Sequence, residues 1–238
     1  MTVLVLIATI PERRFSCERL LRELMQQSRK PDGVILCLDG YGDAPAPACG
    51  LPVVATYKTA QKSGPGQRWR VVCDFDPNTL LVNLDDDVFT AKAPHLLREL
   101  VASARENDAA ACMGLTMDGK RAAPGTVSRG RLVYGAGCGL AVRVRHLYGL
   151  SALRDTIVRL GGKDALGPCG DDDALVSALL WLSQIPIWHA AGGVINAAAG
   201  TQADSQTKQR LARGETTDQQ KRFIAEVTGW GYPTNQRS

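Results

Sequence analysis

Three consecutive carboxylates, Asp85, Asp86 and Asp87, follow directly on the apolar run TLLVNL. Adjacent anions repel, so the arrangement is costly unless positive charge sits among them, and oxygen-only donors suit a hard ion such as Mg²⁺ or Mn²⁺. If the run is a strand, alternation sends Asp85 and Asp87 one way and Asp86 the other. A second acidic set, Asp171, Asp172 and Asp173, opens a segment in which Leu175, Ala178, Leu179 and Leu182 recur at helical spacing. The helix macrodipole stabilises a carboxylate in the first turn by about 0.3–1 kcal/mol, so capping accounts for one or two of the three. A carboxylate held there and facing a bound cation has the chemistry of a general base. His189 ends the strand-like IPIWH, where a neutral imidazole can complete the coordination of a divalent ion. His95 and His146 open predicted helices and read as capping or surface residues.

Two glycine-bearing segments bear on phosphate and ligand binding. KSGPGQRWR brings Lys62, Arg68 and Arg70 to a loop and helix start, where cations and backbone N–H groups can meet a phosphate. GAGCG places Gly135, Gly137 and Gly139 at alternate positions, which suits either close approach of a bulky ligand or tight packing. Leu140 stands where a dinucleotide fingerprint needs its last glycine, and no G-x-x-x-x-G-K-[ST] occurs, so a dinucleotide-binding fold and a P-loop are both disfavoured.

The elements that must position these residues are legible from hydrophobic patterning. Val3–Thr9, Val34–Asp39, Pro52–Tyr57 and Thr79–Asp85 read as buried strands, separated by helical stretches that include one near 67–74 and one at 94–104. Such alternation predicts an α/β fold: a mixed, mainly parallel sheet with helices on both faces. Ligands bind beyond the carboxyl ends of such strands, which is where Asp85–Asp87 lie. The second half is less regular: after the stretches 109–117 and 131–143, helices are expected near 147–160 and 172–182, and Ile185–His189 is a short strand. The expected organisation is one domain over 1–195, in two parts that meet at about residues 90–91. Residues 196–238 read as a peripheral tail with one helix over 218–227.

Composition narrows the class further. The chain has 238 residues, 45% hydrophobic and 22% charged, enough to bury a full core without staples. Its seven cysteines are scattered and never spaced C-x-x-C, which argues against a disulfide framework and a zinc cluster and for a reducing, cytoplasmic setting. No run reaches the length of a membrane span, and no basic region precedes the first strand, so no integral membrane segment or targeting signal is expected.

Taken in order, these motifs resemble the GT-A-fold glycosyltransferases, in particular the family 2-like group that uses nucleotide sugars. ATIPERR followed by VILCLDG is similar to that group's opening strand-helix-strand, LDDD to its D-x-D motif, GAGCG to its acceptor-side glycine loop, and GDDDAL to its acidic pair. The resemblance implies that Thr9, Pro11, Arg13 and Asp39 line the base and ribose pocket and that Asp85 lies near the ribose or sugar, with Asp86 beside it. It also implies that Asp87 holds Mn²⁺ or Mg²⁺ with Asp85 and His189, and that Asp172 is the base. Asp171 stands where the group usually has Glu, and Ala174 where many members have a further Asp, so the choice among Asp171, Asp172 and Asp173 stays open.

The expected activity is therefore metal-dependent transfer of a hexosyl group from a nucleotide sugar, a UDP-sugar, to an acceptor hydroxyl with inversion, Arg68 adding positive charge at the diphosphate. Sugar nucleotidyltransferases, metal-dependent phosphohydrolases and non-catalytic sugar-binding modules are the competing classes. The first usually carries a glycine in the loop after its opening strand, which ATIPERR lacks. For the acceptor, Gly119–Arg154 contains Lys120, Arg121, Arg129, Arg131, Arg143, Arg145 and Arg154 and no acidic residue. That run brackets the glycine loop, so a polyanion such as double-stranded DNA with hydroxymethylated bases competes with a surface glycan.

Overall fold

The computed structural model describes residues 1–62, 64, 68–69, 74–91, 93–116, 121–122, 131–135, 139–161, 166, 172–190, 196–197 and 217–232. The continuous apolar runs form β1 (Val3–Thr9), β2 (Gly33–Leu38) and β4 (Leu80–Asp85), with β3 (Val53–Lys58) outside β2. All four are parallel, in the order β3-β2-β1-β4. The chain continues through β5 (Val88–Phe89), β6 (Ala109–Ala111), β7 (Gly114–Thr116), β8 (Arg121–Ala122), β9 (Arg131–Gly135), β10 (Leu140–Arg143), β11 (Ile187–His189) and β12 (Asn196–Ala197). β10 runs antiparallel between β4 and β6, β6 and β11 are parallel, and β9 turns back along β11. Among the described residues this makes one ten-stranded mixed sheet, with β12 pairing β5 apart from it.

Strand alternation divides the core between two faces. Val3, Val5, Ile7, Leu36, Val82 and Leu84 point to one face, covered by α1 (Arg14–Leu24) and α2 (Leu96–Asn107). Leu4, Leu6, Ile35, Leu81 and Val142 point to the other, covered by α3 (Leu150–Gly161), α4 (Asp172–Leu182) and α5 (Thr217–Thr228). The result is a three-layer α/β fold, as the alternating pattern predicts.

Two expectations change. Pro52–Tyr57 does supply a strand, but β3 is the sheet's edge rather than a buried strand, and Val53 and Val54 are exposed because only β2 pairs with it. Residues 109–116 form two short strands, β6 and β7, with a corner between them. The segment expected to be a peripheral tail contributes to the core: Ile224, Ala225, Trp230 and Tyr232 are buried in the cluster that holds α4. Arg68 and Trp69 form part of a short helical turn, and most of the 67–74 helix expected around them lies outside the described residues. Among the described residues no helix is long and apolar enough to cross a membrane.

Candidate functional site

Strand register brings the singled-out residues of the first half to one edge. Ala8 pairs with Asp85 and Thr9 with Leu38, so Thr9, Asp39 and Asp86 leave the sheet at about the same level. After β1, Ile10 is extended and Pro11 opens a single 3-10 turn, Pro11–Arg13, closed by the Arg13 amide donating to the Ile10 carbonyl at 2.9 Å. A proline fits there because its fixed φ suits a helical start and its missing N–H is not needed. The turn carries Arg13 to the acidic edge, where Nη1 lies 2.9 Å from Asp86 Oδ1 and 3.4 Å from Asp87 Oδ2.

Asp86 is buried, and burial pushes its carboxyl up to about 6 against the opposing pull of Arg13 and of a hydrogen bond from Thr9. Arg13 is shifted upward: burial works against its charge, but the neighbouring aspartates, Asp86 foremost, outweigh it. Asp85 points to the opposite face and meets Arg68, whose Nη1 donates to Asp85 Oδ1 at 3.0 Å and to Asn83 Oδ1 at 2.8 Å. The positive charge that three adjacent aspartates require is thus present as two arginines, one on each face of the strand. Asp85 and Asp87 keep 39% and 22% of their side chains exposed, so each can still present oxygen to a hard divalent ion.

Asp39 organises the neighbouring loop. Its Oδ2 accepts from the Gly64 amide at 2.9 Å, and its Oδ1 lies 3.2 Å from the Thr59 hydroxyl. Gly40 follows with φ +73, and a side chain there would run into Lys62, so the close turn needs glycine. Across the mouth of this edge Lys62 Nζ meets Glu12 Oε1 at 2.7 Å, an exposed ion pair joining the loops after β1 and β3.

Of the second acidic set, Asp173 reaches the same sheet face through α4. Asp173 Oδ1 lies 3.5 Å from Asn83 Nδ2, and Asn83 is fully buried. Sequence reasoning passed over Asn83, although a polar residue inside LLVNLD was its signal. Asp172 begins α4, while its side chain, and Asp171 altogether, lie outside the described residues, as does Arg70. His189 is buried and donates from Nε2 to the Cys112 carbonyl at 3.1 Å; it stands on β11, separated from β4 by β10 and β6, so it does not join Asp85 and Asp87 in the metal set expected for it. Among the described residues no group of three or more His, Cys, Asp or Glu side chains is gathered for a metal.

On the expected acceptor side the residues separate. Gly135 is a packing glycine: a Cβ there would come within 3.0 Å of Leu140 Cδ1 and 3.1 Å of Ala111 Cβ, and its amide donates to Ser177 Oγ at 3.1 Å. Gly139 is buried at the start of β10, Arg131 lies over the Trp181 ring at 5.7 Å, and Gly137 and Arg129 lie outside the described residues. Arg143 is placed elsewhere than expected. It pairs in register with Leu80, the far end of β4 from the aspartates, and its Nε lies 2.8 Å from Asp108. Arg145 meets the same carboxylate at 3.0 Å, so the run that is wholly basic in sequence is partly neutralised in space.

No protein-family model matches the chain, and no curated protein matches it significantly in sequence. Solved structures do match. The chain superposes on S. aureus TarS with a TM-score of 0.54 at 14% identity, covering 99% of this chain and 44% of that one. A TarS fragment in complex with UDP gives 0.53 at 14% identity over 95% of this chain and 70% of the other. A complex of the same fragment with UDP-GlcNAc gives 0.52 at 15% over 84% and 59%. The chain therefore spans less than half the length of the full TarS chain it matches. At this identity the likeness fixes the fold, which is GT-A-like.

Proposed function

We propose that the chain is a hexosyl-transferring glycosyltransferase that uses a UDP-sugar. One observation carries the reading: the exits of β1, β2 and β4 gather Arg13, Asp39 and Asp85–Asp87 at one sheet edge, with Arg68 held against Asp85. That edge belongs to a fold shared with a protein solved with UDP and with UDP-GlcNAc. In this reading Thr9, Pro11, Arg13 and Asp39 line the nucleoside pocket and Asp85 and Asp86 its sugar side. Arg13 and Arg68 set positive charge against the diphosphate, as guanidinium groups do. Asp87 and Asp85, both partly exposed, are the carboxylates that would hold a divalent ion, Mn²⁺ or Mg²⁺, and when bound it neutralises charge on the departing diphosphate; His189 is not gathered with them.

Asp172 is the base. It takes the proton of the acceptor hydroxyl while that oxygen bonds to the anomeric carbon and the bond to the diphosphate breaks, which inverts the centre. The acceptor is a glycan hydroxyl rather than duplex DNA, because Arg143 and Arg145 are committed to Asp108 at the other end of the sheet.

Incubation with UDP-sugars, Mn²⁺ and candidate glycans is expected to release UDP, and Asp172→Asn to slow that release by about 10² while leaving UDP affinity in place. Release of pyrophosphate or inorganic phosphate instead would reassign the chain to nucleotidyl transfer or phosphate hydrolysis. Sugar-nucleotide binding without any release would make it a binding module.

A further inference from the structure

Asn83 stands in β4 between Val82 and Leu84 and is fully buried. A buried amide is costly unless both its donor and its acceptor find partners. Alternation puts it on the same face as Asp85, two residues on. Its Oδ1 accepts from Arg68 Nη1 at 2.8 Å, the same nitrogen that donates to Asp85 Oδ1 at 3.0 Å, and its Nδ2 faces Asp173 Oδ1 at 3.5 Å. Only one orientation of the amide works, since turning it over would set its NH₂ against a guanidinium and its carbonyl against a carboxylate. A leucine, matching the rest of the strand, could make neither contact.

We infer that Asn83 is a positioning residue that sets the spacing between the Arg68–Asp85 pair and the acidic first turn of α4. Asp173 is its anchor on the helix, and holding Asp173 fixes where the neighbouring Asp172 stands. The role of Asp172 rests on the glycosyl-transfer reading; the link between strand and helix does not.

The test is a swap in the full chain. Asn83→Asp keeps an acceptor for Arg68 but sets a carboxylate against Asp173. Its affinity for UDP is expected to stay within about threefold, while kcat for UDP release falls about tenfold or more and Tm drops. Adding Asp173→Asn reverses donor and acceptor across the same gap, so the double variant is expected to recover both kcat and Tm relative to Asn83→Asp alone. Should Asn83→Asp not fold, folding of the double variant is the recovery expected, and failure of both overturns the inference. Losses that simply multiply also overturn it. A wild-type chain that releases no UDP removes the glycosyl-transfer reading, while the strand-to-helix link still stands or falls on the recovery of Tm.

Discussion

At the scale of single residues, the aspartate triplet is divided rather than shared. Asp85 is an edge carboxylate on one face with Arg68, whereas Asp86 is buried on the other with Arg13 and Thr9. The consequence at Asp86 is a pH dependence whose sign is fixed by its raised pKa. Unfolded, the carboxyl ionises near the ordinary aspartate value of 3.8; folded, it holds its proton to about 6. The folded state therefore binds more protons between those values, and this group's contribution is fully present below pH 3.8 and lost as pH rises through 6. Two units correspond to about 3 kcal/mol at most. Asp86→Asn cannot ionise, so the Tm of the variant minus that of wild type should rise between pH 4 and 7 and then level off. A difference that stays flat across that window in thermal unfolding scans would mean that Asp86 ionises freely in the folded chain. The triplet's position at a strand end is legible in sequence because the apolar run before it is unbroken. Its two counter-charges are not, since Arg13 comes from a turn 73 positions away in the chain.

Among the elements, α1 and the turn that follows it act as a rail for the segment after the triplet. Arg19 Nη2 lies 3.4 Å from the Val88 carbonyl, Glu23 Oε2 accepts from the amides of Thr90 and Ala91 at 2.6 and 3.1 Å, and Gln27 holds the Ala93 carbonyl at 3.0 Å. Arg19 and Glu23, four apart, share one ridge of α1, and Gln27 follows in the turn after the helix. Glu23→Ala removes an acceptor from two amides, the Thr90 one buried, at a cost of about 1–3 kcal/mol. The expected result is a lower Tm and faster hydrogen exchange at Thr90 and Ala91, with the amides of β1 unaffected. Unchanged exchange at those two amides would show that the loop is held from elsewhere. The helix itself is readable from Leu20, Leu21 and Leu24, but a glutamate and a glutamine on its flank look like ordinary surface residues until the chain beyond β4 folds back onto them. For the same reason β6 and β7 merge into one apolar run in sequence: the corner between them, Cys112–Met113, carries no turn residue.

Over the whole molecule, sequence distance misleads in both directions. The basic run from Gly119 to Arg154 is uniform along the chain, yet Arg143 and Arg145 fold onto Asp108, at the opposite end of β4 from the proposed site. Conversely, the polar stretch after β12 suggests a dispensable end, yet α5 and the residues that follow it complete the core. Ile224 and Trp230 are buried at 0% and 3% exposure, and Tyr134, Trp230 and Tyr232 form a cluster with ring centroids 4.9–6.3 Å apart. Lys221 Nζ lies 4.3 Å from the centre of the Tyr134 ring, fastening α5 to β9. Gly231 is needed where the chain crosses Trp181 of α4, because a Cβ there would come within 2.8 Å of that ring. Burying each large side chain contributes about 1.5–3 kcal/mol, so three of them approach the 5–15 kcal/mol by which a typical domain is stable. A chain ending at Gly214 should therefore lose its cooperative thermal transition or self-associate through the uncovered faces of α3 and α4, and size-exclusion chromatography with thermal unfolding measures both. A monomeric shortened chain with an unchanged Tm would mean that the sheet and α4 close a core without α5.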